Sequence, residues 1–161
     1  MNQAMTALDN VTMVGEGNGL HLAIARSPAK GLGKVVASPD SRDLIADVRI
    51  EPMQVHPDDR GFFTELARLG SEGIAAEMIP GGAKQIQISA TLTYPGTIKA
   101  IHYHFHQTDL WLPVAGMLQV FLCDLRRDSR TFGLINTLYV GQLRPWKILI
   151  PPGVGHSSGK N

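Results

Sequence analysis

Cysteine is almost absent from this chain, since Cys123 is the only one among 161 residues. An intrachain disulfide is therefore excluded, and a reduced, cytoplasmic setting is the expectation. Charge is also scarce: 18% of residues are charged, the formal net charge is +1, and no run of Lys or Arg reaches four. This composition predicts no nucleic-acid partner and no basic patch for a membrane surface.

Long apolar runs are missing as well. No stretch approaches the roughly 18 apolar residues that a membrane helix needs. The first residues lack the basic start and apolar core of a signal peptide, so neither a membrane partner nor export is expected. Hydrophobic residues still make up 43% of the chain, which is enough for one globular domain with its own core.

Glycine and proline, with 17 and 10 residues, divide the sequence into short segments. From Lys84 to Thr93, polar and apolar side chains alternate with the period of two that is typical of a strand. Short apolar strands separated by such turns predict an all-β sandwich or barrel. The predicted strands cover 48–55, 62–69 (strand or short helical piece), 84–93, 97–106, 110–114, 117–125, 131–140 and 146–150. Residues 71–78 are the one helical candidate. We expect residues 1–42 to form an N-terminal arm with one or two short strands and residues 43–161 to form the barrel domain.

The most informative segment contains His102, His104 and His106. Alternate side chains of a strand share a face, so these three imidazoles are predicted to project together. One histidine would ordinarily be a packing or surface residue, but three on one face favour a functional site.

Two separated segments resemble the cupin motifs. Gly96, His102, His104, Asp109 and Gly116 have the spacing of the first motif, with Asp in place of its Glu, and Pro151, Gly153 and His156 match part of the second. The resemblance implies a jelly-roll-like cupin β-barrel. It also implies one possible site, in which His102, His104, Asp109 and His156 bind a divalent transition metal that acts on a small molecule.

Five further segments, in order, resemble the dTDP-4-dehydrorhamnose 3,5-epimerases, a branch of the cupins that works without a metal. They are Arg60 to Glu65, Gln87 to Gly96, Lys99 to His102, Asp124 to Gly133 and Ile150 to His156. This resemblance implies a homologue in polysaccharide or deoxysugar biosynthesis that uses no cofactor. Its activity would be 3,5-epimerisation, or ketoisomerisation, of a dTDP-4-keto-6-deoxyhexose.

The resemblance also assigns roles to residues. His102 becomes the general base that removes the proton next to the sugar ketone, work that suits imidazole near neutral pH. The expected substrate-binding residues are Arg60, Glu65, Gln87, Lys99, Gln107 and Trp111. Family members exchange N-terminal strands, which together with exposed strand edges leads us to expect a homodimer.

The chain also departs from the family pattern. Lys99 replaces an Arg, Asp109 replaces a Lys that would face the diphosphate, and His104 replaces a Gln. The family's catalytic Tyr and the Asp that orients its His lie downstream of His156, where this chain has five residues. We therefore expect a C-terminal truncation, an end that is not a strand, and missing closing strands. A non-catalytic or binding-only cupin is the third functional hypothesis.

Overall fold

A computed structural model describes residues 11–25, 31–67 and 86–160. This part of the chain forms twelve strands and no helix, and so no helix here could span a membrane. The strands are β1 (Val11–Gly17), β2 (Leu20–Ala25), β3 (Lys34–Val35), β4 (Arg49–Pro52), β5 (Val55–Asp58), β6 (Gly61–Thr64), β7 (Thr97–His102), β8 (Asp109–Trp111), β9 (Met117–Asp124), β10 (Ile135–Gly141), β11 (Trp146–Ile150) and β12 (Val154–Lys160). The prediction of an all-β fold is confirmed.

The largest sheet has five strands in the order β3–β10–β9–β12–β7. Strands β9 and β10 form its longest antiparallel pair, from Ile135 opposite Cys123 to Gly141 opposite Met117. Strand β12 lies between β9 and β7 and pairs with both. The expectation that the chain ends without a strand is therefore wrong. The Ser- and Gly-rich segment after His156 becomes a strand because neighbours on both sides bond to its backbone.

A second sheet, in the order β4–β11–β8, packs against the first. Apolar side chains from both sheets form one core, in which Leu122, Leu138 and Ile148 have no exposed surface. Burying each such side chain contributes about 1.5–3 kcal/mol. This core fixes the two layers, and so it fixes the strand ends that carry the site.

A buried carboxylate organises the turn between β9 and β10. Asp124 is 0% exposed and accepts hydrogen bonds from the backbone NH, Nε and Nη2 of Arg126 and from the hydroxyls of Ser129 and Thr131. Arg126 also bonds to Asp47 and to the Ala46 carbonyl. Burial alone would raise the pKa of Asp124, but these hydrogen bonds and the guanidinium charge hold it below its ordinary value.

The β1–β2 hairpin packs against the segment that carries the histidines. Gly15 and Gly17 face the Phe105 ring so closely that a Cβ at either position would lie 3.1 or 3.0 Å from a ring carbon. Leu22 of the same hairpin is fully buried. Short strands were expected in this N-terminal region, although its boundary at residue 42 stays a prediction.

Several predicted segments differ from the structure in extent. Residues 86–93 alternate in polarity but form no strand, and Ile88 and Leu92 are strongly exposed. Strand β7 ends at His102 instead of 106, and β8 ends at Trp111 instead of 114. The predicted strand over 48–55 is divided into β4 and β5, and residues 131–134 belong to the preceding turn. Of the predicted segment 62–69, only residues 62–64 form a strand in the described part, as the end of β6. The helical candidate 71–78 lies outside the described residues.

Candidate functional site

Three polar side chains meet where β7, β8 and β12 come together. His104 follows β7, Asp109 begins β8, and His156 is the third residue of β12. The backbone holds them in place, because His156 pairs with His102, Asp109 pairs with Ile150, and the Gly153 NH donates to the His104 carbonyl at 2.8 Å. We call His104, Asp109 and His156 the His–Asp–His cluster.

One carboxylate oxygen lies between the two imidazoles of this cluster. Asp109 Oδ2 is 3.4 Å from His104 Nε2 and 3.2 Å from His156 Nε2. The other oxygen, Oδ1, accepts a hydrogen bond from the side-chain amide of Gln107. The two oxygens therefore have separate partners, and Oδ2 is the one that faces both rings.

His156 is the most rigidly held member of the cluster. It is only 3% exposed, and its Nδ1 lies 3.1 Å from the Val154 carbonyl oxygen. Since a carbonyl only accepts, Nδ1 carries a proton, and Nε2 faces Asp109. The edge-on indole of Trp111, 5.2 Å from the His156 ring centre, packs beside it and also contacts the hydrophobic core.

The surroundings of Asp109 favour its charged form. Partial burial would raise the pKa of this carboxyl, but its side-chain contacts with His156 and Gln107, together with the nearby His104 imidazole, lower the pKa below the ordinary value. Asp109 is thus a carboxylate at neutral pH, placed between two imidazoles.

His102 lies beside the cluster but does not belong to it. Its ring centre is 6.4 Å from that of His156, while that of His104 is 5.4 Å away. His102 is exposed at the end of β7, and His106 is exposed beyond it. Two of the three histidines of the motif therefore approach His156, and the more accessible one is His102.

The other predicted site residues have varied surroundings. Arg60 is exposed and forms its ion pairs with Asp58 and Asp59 of its own hairpin. Lys99 is half-buried and donates to the Thr91 hydroxyl. Gln87 and Glu65 are exposed, and the Gln87 amide donates to the Ser89 hydroxyl. The structure therefore brings together His102, His104, Asp109, Gln107, Trp111 and His156, and it leaves Arg60 paired within β5–β6.

Two surface depressions in the described part of the chain are lined by neither His102 nor the His–Asp–His cluster. One, of about 410 Å³, is lined by the Arg126 turn and residues around Leu20. The other, of about 300 Å³, is lined by β5–β6 residues such as Phe62 and Thr64 together with Pro113 and Leu143. Since His102 and the His–Asp–His cluster line neither depression, we locate the candidate site by the convergence of these side chains and not by the presence of a cavity.

Sequence reasoning gave no indication of how the cluster is oriented. Gln107 was expected to contact substrate, but its amide donates to Asp109. The bond from His156 to the Val154 carbonyl was not anticipated either. The spacing Gln-x-Asp at the start of β8 could have indicated the contact between Gln107 and Asp109. The contact between His156 and the Val154 carbonyl depends on the local backbone conformation.

Comparison with known proteins shows the family to which the chain belongs. The family model for dTDP-4-dehydrorhamnose 3,5-epimerase matches residues 43–158, which include every site residue named above. The chain belongs to the dTDP-4-dehydrorhamnose 3,5-epimerase family. It is therefore a homologue of sugar-nucleotide epimerases, as the sequence motifs had indicated.

Two curated relatives agree with this assignment. The spore coat polysaccharide biosynthesis protein SpsL of Bacillus subtilis (strain 168) is 42% identical over 113 residues, which are 70% of each chain. The probable low-salt glycan biosynthesis epimerase Agl13 of Haloferax volcanii is 32% identical over 113 residues, covering 70% of this chain and 68% of the relative.

Solved structures support the fold. A dTDP sugar isomerase from Desulfovibrio desulfuricans G20 has a TM-score of 0.62 at 22% identity, with 73% of this chain and 70% of that chain covered. The 3'-monoepimerase ChmJ from Streptomyces bikiniensis, in complex with dTDP-quinovose, also has a TM-score of 0.62, at 18% identity, with 72% and 59% covered. The predicted cupin-type fold is confirmed by these similarities.

Proposed function

We propose that this protein epimerises the sugar of a dTDP-4-keto-6-deoxyhexose in polysaccharide biosynthesis, with His102 as the general base. The observation that carries the proposal is the accessible His102 imidazole, at the end of β7 and beside the cluster, within a chain of the epimerase family. The names of the curated relatives, one in spore coat polysaccharide biosynthesis and one in glycan biosynthesis, support the same pathway class.

The chemistry needs only a proton transfer. A neutral imidazole of His102 removes the proton from the carbon next to the keto group, and the electrons of that C–H bond form an enolate. A proton from solvent then returns to the opposite face of the same carbon, which inverts it, and His102 releases the proton that it removed to water. Imidazole is the side-chain group best suited to this step near neutral pH.

Binding of the nucleotide is assigned to the residues around this base. Lys99, three positions before His102 on β7, offers an ammonium to a diphosphate oxygen, and Trp111 offers its indole to a base or sugar. We assign Gln87, Arg60, Glu65 and Gln107 to substrate contacts as the family resemblance implies. For Arg60 this requires exchanging its ion pair with Asp58 for the ligand, which costs little because the pair is exposed and screened by solvent.

Deuterium exchange tests the proposal directly. The protein is incubated with dTDP-4-keto-6-deoxyglucose in D₂O, and deuterium incorporation at C3 and C5 is followed by NMR. We expect incorporation with wild type and a loss of about 100- to 10,000-fold with His102→Asn. His106→Ala is the matched control, because His106 is exposed in the same segment and is expected to leave the rate unchanged.

A negative result would also be informative. If wild type incorporates no deuterium and millimolar dTDP does not change its melting temperature, the epimerase proposal fails. A ligand-induced rise in melting temperature without exchange would instead favour the binding-only cupin.

We further propose that the protein acts as a cytoplasmic homodimer. Strand β7 is an edge of the five-stranded sheet as described, and Ile98 on it is 78% exposed. Ile88 and Leu92, on the segment before it, are also strongly exposed. Exposed apolar side chains on this strand and on the segment before it, at an edge that no described strand covers, favour an interface with a second copy. Light scattering after size exclusion should give twice the chain mass for wild type and a smaller mass for Ile98→Asp, while a monomeric wild type would refute the dimer.

A further inference from the structure

The His–Asp–His cluster has the geometry of a metal-binding site. We propose that His104 Nε2, Asp109 Oδ2 and His156 Nε2 bind one divalent transition-metal ion and leave His102 outside its ligand set. The described part of the chain contains this one group of three such donors, whose atoms all lie within 4.8 Å of one another.

The spacing of the donor atoms supports the proposal. Bonds of about 2.1 Å to nitrogen and oxygen place neighbouring ligand atoms about 3.0–3.4 Å apart in octahedral or tetrahedral geometry. The distances from Asp109 Oδ2 to the two imidazoles, 3.4 Å to His104 Nε2 and 3.2 Å to His156 Nε2, fall in that range. Asp109 Oδ2 therefore already lies at the distance from each histidine nitrogen that is expected for two ligands of one metal ion.

The donors are also oriented by neighbours in the way that metal ligands usually are. The Val154 carbonyl accepts from Nδ1 of His156 and leaves Nε2 for a metal. Gln107 occupies Oδ1 of Asp109 and leaves Oδ2 facing both imidazoles. Such outer partners fix the tautomer and ring direction of ligands in metalloproteins.

The donor set indicates which ions would bind. Two imidazoles and one carboxylate suit Mn²⁺, Fe²⁺, Co²⁺, Ni²⁺ or Zn²⁺ better than Ca²⁺ or Mg²⁺. Three protein ligands leave further positions open to oxygen atoms of a small molecule. The structure thus narrows the four-residue set that the sequence suggested, because His102 is exposed and lies outside the cluster.

Cobalt titration tests the site independently of any sugar chemistry. Protein purified without a nickel resin is treated with chelator, dialysed and titrated with Co²⁺, with visible absorption and calorimetry as readouts. We expect one ion per chain in wild type. His104→Ala and the isosteric Asp109→Asn should weaken binding by at least about 100-fold, and Gln107→Ala by about 10- to 100-fold.

Two variants serve as controls. His102→Asn and His106→Ala should bind Co²⁺ as wild type does, because neither residue belongs to the cluster. Circular dichroism checks that each ligand variant is folded. If His104→Ala does not fold, Asp109→Asn still tests whether the cluster binds the metal. No Co²⁺ binding to folded wild type, or unchanged affinity in both ligand variants, would overturn the proposal. Since deuterium exchange at His102 is measured separately, the metal site can fail while the epimerase proposal stands.

Discussion

The buried carboxylate of Asp124 provides a quantitative test of what holds the site's sheet together. Asp124→Asn keeps the shape of the side chain but removes the charge that faces Arg126. One Asn oxygen cannot accept all five hydrogen bonds that Asp124 accepts, and its amide group would face donors. Breaking a buried ion pair on one side costs about 3–5 kcal/mol.

The remaining bonds of Arg126 to Asp47 and to the Ala46 carbonyl reduce this cost, and we expect about 3 kcal/mol. For a chain of this size the loss corresponds to a fall in melting temperature of about 10 °C. Urea denaturation followed by circular dichroism measures the free energy of unfolding. Asp128→Asn, in the same turn but exposed, is the matched control and should change stability by less than about 0.5 kcal/mol.

The pH dependence supplies a second readout. The pKa of Asp124 is lowered in the folded state, so its stabilisation is fully present above the unfolded pKa of about 3.9 and is lost as pH falls through the folded value. The stability difference between wild type and Asp124→Asn should therefore be constant near neutral pH and shrink below about pH 4. A difference under about 0.5 kcal/mol at pH 7 would refute the reasoning.

Other features lead to two further predictions. Gly153→Ala should destabilise the protein strongly, because Gly153 has a positive φ of 80° and a Cβ would lie 2.5 Å from Arg126 Cγ. Gly96→Ala, with a φ of 73° but nothing within 4 Å of its Cβ, should cost only about 1 kcal/mol in thermal melts, and equal effects would contradict the steric argument. Burial, together with the charge of Asp124, raises the pKa of the Cys123 thiol to about 11, and so thiol-exchange labelling at pH 8 should be about 100-fold slower than for an ordinary cysteine. Labelling at the ordinary rate in folded protein would show that Cys123 is accessible and ionised.

The sequence predicted strands well where apolar alternation and a partner strand coincide. Strand β11 was predicted over its observed range, and β9 to within one residue. Residues 86–93 show equally regular alternation, yet no described strand pairs with them. Strand β12 is the opposite case, because its polar sequence has little strand character and β9 and β7 supply the backbone bonds. Alternating polarity identifies a segment that is able to form a strand. The hydrogen bonds of a sheet also require a neighbouring strand, which the alternation of one segment does not reveal.

The site was predicted in part for the same reason. The spacing of His104, Asp109 and His156 indicated that they could converge, and they do. The position of His102 outside the cluster depends on where β7 ends, and the direction of His156 depends on its bond to Val154. Both depend on local backbone geometry that a motif does not encode.

The β1–β2 hairpin contacts Phe105, which lies between His104 and His106, and so it affects the position of the histidine segment. The hairpin precedes the region 43–158 that relates the chain to its family, yet two of its glycines face the ring next to His104. Asn18 of the hairpin also donates to the Phe105 carbonyl. A side chain introduced at Gly17 would shift Phe105, and with it the backbone between His104 and His106, without altering any imidazole. Substitutions in the hairpin, upstream of the family region, would therefore shift the segment that carries the histidines while the histidines themselves stay the same.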